Sequence, residues 1–97
     1  MTIEKRMEGA RAEWSLIGWL DTQSAPELEA ALNELAPETE ALTLDLAEVE
    51  YVSSAGLRQL VAAHKKLRGN LTLRNVSSEI QNVIRMTGLD RRLRIEA

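Results

Sequence analysis

The sequence predicts a single α/β domain over residues 1–97 with a mixed β-sheet and the element order ββαβαβαβ. Three observations carry this. Leu42, Leu44 and Leu46 alternate with Thr43, Asp45 and Ala47, the period of a strand. After Ser53-Ser54-Ala55-Gly56 the period changes, and Leu57, Leu60, Val61, His64 and Leu67 fall on one face of a helix. Two further helical patterns each stand between strand patterns, which implies parallel strand pairs joined by right-handed crossovers.

The elements follow in order. Residues 2–8 alternate, and so do residues 11–20, with Ala12, Trp14, Leu16, Gly18 and Leu20 on one parity and Ser15, Ile17 and Trp19 on the other. Joined at Glu8-Gly9, they form an antiparallel hairpin at the start of the sheet. Asp21 to Ser24 break the pattern. Ser24 then suits a helix cap, Glu27 stands three residues on as in a capping box, and Pro26 suits a first turn. Leu28, Ala31, Leu32 and Leu35 form the buried stripe of this helix, and Pro37 stops it.

The long strand and second helix come next, and Gly69 ends that helix as a C′ glycine. Leu71, Leu73 and Val76 mark a short strand. Ser77-Ser78-Glu79 opens a third helix, where Ser78 with Gln81 fits a capping box. Ile80, Val83, Ile84 and Thr87 share one face of it, and Gly88 stops it. A last strand covers residues 93–96.

Composition narrows the function classes. With 44% apolar residues but no Phe and only 3% aromatics, the core is aliphatic. The absence of Cys excludes a disulfide scaffold and a thiolate metal site, and fits a reducing cytosol. The charged N-terminal stretch has no apolar core of a leader peptide, and no window reaches the ~18 apolar residues of a membrane span. A cytoplasmic protein without membrane insertion is expected. A net charge of −3 argues against a nucleic-acid partner. Neither Lys65, Lys66 and Arg68 nor Arg91, Arg92 and Arg94 is interleaved with aromatics, and both clusters read as solvated surface. No phosphate-binding glycine loop or metal-ligand spacing is present, so no cofactor is expected.

The junction at residues 53–58 concentrates the functional signal. A serine where a strand enters a helix lies near free backbone N–H groups and the positive end of the helix dipole, which suits a cap and equally a phosphate. His64 is ten residues from Ser54, roughly 15 Å along a helix, too far for a nucleophile–base pair that needs ~3 Å. It reads as a half-buried packing residue. With no second histidine, an enzyme is not expected. Gly56 lets the helix approach its neighbours and leaves the loop uncovered. Asp21 and Asp45, read as lying near the ends of adjacent strands, are either a loop cap and a solvated strand residue or neighbours of the serine that shape its recognition. Glu48 and Glu50 read as a solvated face.

At these residues the sequence resembles the STAS domain family, the bacterial anti-sigma factor antagonists. Gly18, Leu20 and Asp21 followed by Ala25-Pro26-Glu27-Leu28 are similar to the family's Gly-x-Leu-Asp stretch and first helix. LTLDLAEVEYVSSAGLRQL is similar to its central strand and phosphorylation loop, and LTLRNVSSEIQNVIRMTGLDRRLRI, with Thr87-Gly88-Leu89, to its last strand and helix. The resemblance implies a protein-binding switch. Its partner is an anti-sigma factor with serine-kinase activity, phosphorylation at Ser54 releases that partner, and a protein phosphatase restores binding. The partner-binding surface is then expected at Asp21, Ser53, Ser54, Ala55, Gly56, Leu57 and Arg58, with Trp19 beside them, where the family more frequently has a polar residue. The chain departs from the family pattern in having Ser53 where Asp is frequent and Ala55 where Ser is frequent, which makes Ser53 a lesser candidate acceptor. The alternative is an unphosphorylated scaffold, or a subunit of a signalling or transport complex. Trp19 has the opposite parity to Trp14, so Trp14 belongs to the core while Trp19 either anchors an interface or packs with Ile17 on the second sheet face.

Overall fold

The structure, a computed structural model, describes residues 1–91 and 93–96, with Asp90 described by its backbone alone. Arg92 of the second basic cluster lies outside the described residues. The elements are β1 (Thr2–Glu8), β2 (Arg11–Leu20), α1 (Ala25–Asn33), β3 (Ala41–Val52), α2 (Ser54–Lys66), β4 (Leu71–Arg74), α3 (Ser78–Met86), a 3-10 turn (Leu89–Arg91) and β5 (Arg94–Ile95). This is the expected ββαβαβαβ order, with β5 shorter than residues 93–96.

The five strands lie side by side in sequence order. β1 and β2 are antiparallel, and the remaining pairs are parallel. In the hairpin Glu8 pairs with Arg11, leaving a two-residue loop. Gly9 takes φ +64°, as the first position of a tight hairpin turn requires. Every crossover steps the same way across the sheet, so right-handed connections put all three helices on one face. The burial agrees. Ala12, Trp14, Leu16, Leu42, Leu44, Leu46, Leu71 and Leu73 point into one core with Leu28, Leu60 and Ile84 of the helices. Trp14 is in this core, as its parity predicts.

The other face is open and polar. Glu13 bridges it, accepting from Arg6 Nη2 at 2.7 Å and from Arg74 Nη1 at 2.6 Å across the intervening strand. These bonds hold the Glu13 carboxyl below its ordinary range, Arg6 contributing most.

β3 is not a regular strand. Two register shifts, between Ser15 and Ile17 and between Gly18 and Trp19, give β3 two more residues than β2 over this stretch. Strict alternation from Leu46 would aim Glu48 and Glu50 inward. The first bulge instead brings Val49 into the core, the second restores the parity that keeps Val52 inside, 6% and 3% exposed, and both glutamates turn out. Asp45 belongs to the first bulge, accepting from Ala47 N–H at 2.9 Å and from Asn75 Nδ2 at 3.1 Å. It is therefore not a strand-end neighbour of the serine, because β3 runs on to Val52.

Three capping expectations are corrected. Ser24 does not cap α1: its backbone is already helical (φ −95°, ψ −18°) and its hydroxyl makes no cap bond. Its N–H is donated to Asp21 Oδ1, so Glu27 has no capping box to complete. The cap of α3 is Ser77, accepting from Ile80 N–H at 3.2 Å, while Gln81 turns back to donate to the Val76 carbonyl. At the end of α2 the left-handed C′ residue is Arg68 (φ 54°), and Gly69 follows it with its N–H on the His64 carbonyl at 2.9 Å. This is the Schellman arrangement shifted one residue from the expected place.

Gly56 is the most closely packed of the glycines. A Cβ there would be 2.4 Å from the Leu20 carbonyl oxygen and 2.8 Å from Leu20 Cγ. Backbone cannot move aside as a flexible side chain can. Gly56→Ala is expected to destabilise the domain by about 1–3 kcal/mol, as overpacking does, read from urea denaturation. Unchanged stability would show that α2 has slack at this contact.

Candidate functional site

The site is built where β2 ends, β3 ends and α2 begins. Leu20 and Val52 are ladder partners, and the next N–H, that of Ser53, donates to the Leu20 carbonyl at 2.9 Å. Ser53 is extended (φ −87°, ψ 175°) and is the N-cap of α2, its Oγ accepting from Gly56 N–H at 3.2 Å. Ser54 is the first helical residue and is exposed. The two adjacent hydroxyls thus separate: Ser53 is a half-buried cap, and Ser54 is free on the surface. Gly56 and Leu57 are buried under the junction, Leu57 keeping a small exposed edge. Ala55 is half-buried and Arg58 exposed.

The first turn of α2 contains no acidic residue, whereas α1 has Glu27 there and α3 has Glu79. The positive end of the α2 dipole is therefore met by no side-chain charge of its own turn.

Asp21 organises the adjacent loop. Its Oδ1 accepts from Gln23 N–H and Ser24 N–H, each at 3.0 Å. The buried Ser24 hydroxyl bridges back, accepting from Asp21 N–H at 2.9 Å and donating to the Trp19 carbonyl at 2.5 Å. Hydrogen bonds from Ser24, then Gln23, hold the Asp21 carboxyl below its ordinary range despite some desolvation. Of the two readings of Asp21, loop capping is the one its bonds describe.

Trp19 is 55% exposed, so it is not core packing. It is next to Leu20 in the chain, but strand alternation sends its side chain to the open sheet face, while Leu20 packs beneath α2. The structure thus joins the backbones of Leu20 and Ser53 but aims Trp19 away from the helix side.

An open, mainly apolar groove of about 470 Å³ runs along α2 from Ser54 to Lys65. Its floor includes Leu57, Val61 and Ala62, and its far wall is Thr87 and Leu89. The walls are distant in sequence, so periodicity could not join them. The signal available was exposed Ala62, which breaks the polar surface of the helix.

An exposed serine at a helix N-terminus, seated where two strand ends meet α2 and flanked by an apolar groove, defines the candidate site of this small α/β domain. A family model described as "Mlab, STAS domain" matches residues 3–95, and the chain belongs to the STAS domain family. The anti-sigma-B factor antagonist of Bacillus subtilis is 33% identical over 78 residues, covering 77% of this chain and 72% of that protein. The crystal structure of an anti-sigma factor antagonist from Mycobacterium paratuberculosis superimposes with a TM-score of 0.86 at 28% identity, covering 98% of this chain and 84% of that one. Bacillus SpoIIAA in its phosphorylated form has a TM-score of 0.67 at 16% identity, covering 99% and 92%, a likeness of fold.

The Asp21 bonds favour its ionised form. Their stabilisation is complete above the unfolded aspartate value of about 3.9 and is lost as pH falls through the lower folded value. Asp21→Asn should lower the melting temperature near pH 7, and the gap from the parent chain should narrow below about pH 4. Melts across this range check it, and a gap independent of pH would contradict the assignment.

Proposed function

We propose that the chain is an anti-sigma factor antagonist. It binds an anti-sigma factor with serine-kinase activity at the α2 N-terminus and adjoining groove, and is released when that kinase phosphorylates Ser54. A protein phosphatase would return it to the binding form, in the cytoplasm. The observation that carries the reading is the separation of the two hydroxyls: Ser53 is engaged as the cap, and Ser54 is exposed. Family membership and the antagonist relatives support the partner class.

The structure also favours a particular kind of switch. A phosphate adds about −1.5 to −2 charges at pH 7. At the first turn of α2 these would meet the helix dipole and exposed N–H groups, an arrangement favourable by about 0.3–1 kcal/mol. Modification then leaves the fold intact and acts through repulsion and desolvation at the partner surface. A scaffold role without phosphorylation is the second reading, favoured by Ser53 and Ala55 standing where the family frequently has Asp and Ser.

Incubation with its kinase and ATP should place one phosphate on Ser54, located by mass spectrometry. Ser54→Ala should stay unmodified and bound. Phosphate on Ser53 alone would move the site by one residue, and no phosphate with binding intact would favour the scaffold.

Ser54→Asp should bind the partner more weakly yet melt within a few degrees of the parent, since ~1 kcal/mol corresponds to ~4–8 °C in a domain of this size. Calorimetry checks this, and a larger drop would mean that charge at residue 54 disrupts the fold.

A further inference from the structure

Trp19 and Tyr51 are ladder partners on β2 and β3, and they remain 55% and 48% exposed. Their ring centroids are 5.6 Å apart and the planes are tilted by 58°. The polar edge of Trp19 is already engaged, its Nε1 donating to Glu50 Oε2 at 3.0 Å. What remains outward is π surface. The hydrogen bond and the neighbouring ring hold Trp19 in one orientation, so docking on it would immobilise little that is now free.

The side-chain charge of the segments carrying this pair has one sign, and the N-terminal amine of Met1, which lies against Gly18, is paired with Glu27 at 3.5 Å. From Ile17 to Gln23 and from Ala47 to Leu57 the chain carries Asp21, Glu48 and Glu50, with no lysine or arginine. Asp21 is engaged in its loop, whereas Glu48 and Glu50 are exposed. Two electron-rich rings beside two exposed carboxylates complement a cation. The protein makes a contact of this chemistry on its other face, where Lys5 Nζ is 5.1 Å from the Trp14 ring centroid. Among the described residues, no cation of the chain is stacked on Trp19 or Tyr51 in the same way.

We propose that Trp19, Tyr51, Glu48 and Glu50 form a second docking surface, which takes an arginine side chain from a basic segment of a partner protein. A guanidinium fits better than an ammonium because its plane stacks on a ring while its edge bonds a carboxylate. The surface is on the sheet face opposite α2 and its groove. It does not rest on the reading of Ser54.

The blocked peptide acetyl-Gly-Arg-Gly-amide, titrated into the isotopically labelled full chain, tests this by NMR. The Trp19 indole N–H and the amides of Glu48 and Tyr51 should shift saturably, with the buried Trp14 indole still. The Gln counterpart of the peptide should bind about tenfold more weakly. Trp19→Ala should remove the response. Glu50→Gln keeps an acceptor for the indole but loses the charge, and should weaken binding about threefold, the scale of an exposed ion pair. Both positions are on the surface, and retained spectral dispersion confirms folding. Equal binding of the Gln peptide, an unchanged response in Trp19→Ala, or shifts centred on the glutamates of α1 would overturn the proposal.

Discussion

The N-terminus of α2 is pressed against the end of β2 with no space for a side chain between them. The Leu20 carbonyl that receives the Ser53 N–H is the same atom a Gly56 Cβ would strike. One backbone group therefore closes the strand ladder and forms the floor under the helix. The orientation of the serines follows. Residues 54 and 56 are about 200° apart around a helix, so a buried Gly56 turns Ser54 outward. Ser53, one step earlier and still extended, is left to cap. Leu57 then drops into the core beside Leu20 and Val52, tying the junction to the hydrophobic interior.

The magnitudes separate fold from function at this point. A charge at the first turn of α2 perturbs the helix by a fraction of a kcal/mol to about 1 kcal/mol, against a domain stability of order 5–15 kcal/mol. The same charge trapped unpaired in a protein interface costs several kcal/mol. A modification here is weak as a folding signal and strong as a binding signal. The bulges of β3 serve the same division. They keep Val49 and Val52 inside while Glu48, Glu50 and Tyr51 face water, so the end of the sheet gains an outward surface without opening the core.

Much of this was legible in the sequence because the hydrophobic periods are clean. The alternation of residues 42–46 and the stripe from Leu57 to Leu67 gave the central β–α unit, and the odd spacing of Trp14 and Trp19 assigned one indole to the core and the other to the opposite face of the sheet, where the structure leaves it exposed. The misreadings concern which nearby polar group takes a bond and where a strand bulges. Ser24 looks like a cap, but Asp21 takes its N–H first. Ser78 looks like a cap, but Ser77 is the residue still extended at the helix start. Asp45 looked like the end of a strand because periodicity does not register bulges, which add residues without adding a break. The groove was invisible because Thr87 and Leu89 reach α2 only through the tertiary fold.

The central claim is that Ser54 is held on a rigid junction and alters the surface without altering the fold. The most direct measurement compares chains carrying serine and phosphoserine at residue 54 by amide and methyl correlation spectra. The account predicts amide shifts confined to residues 53–58, the end of β2 and the groove wall at Thr87 and Leu89, with the methyls of Leu16, Leu44 and Leu73 unmoved. Shifts spread through those core methyls would show that the phosphate repacks the domain and would contradict the account.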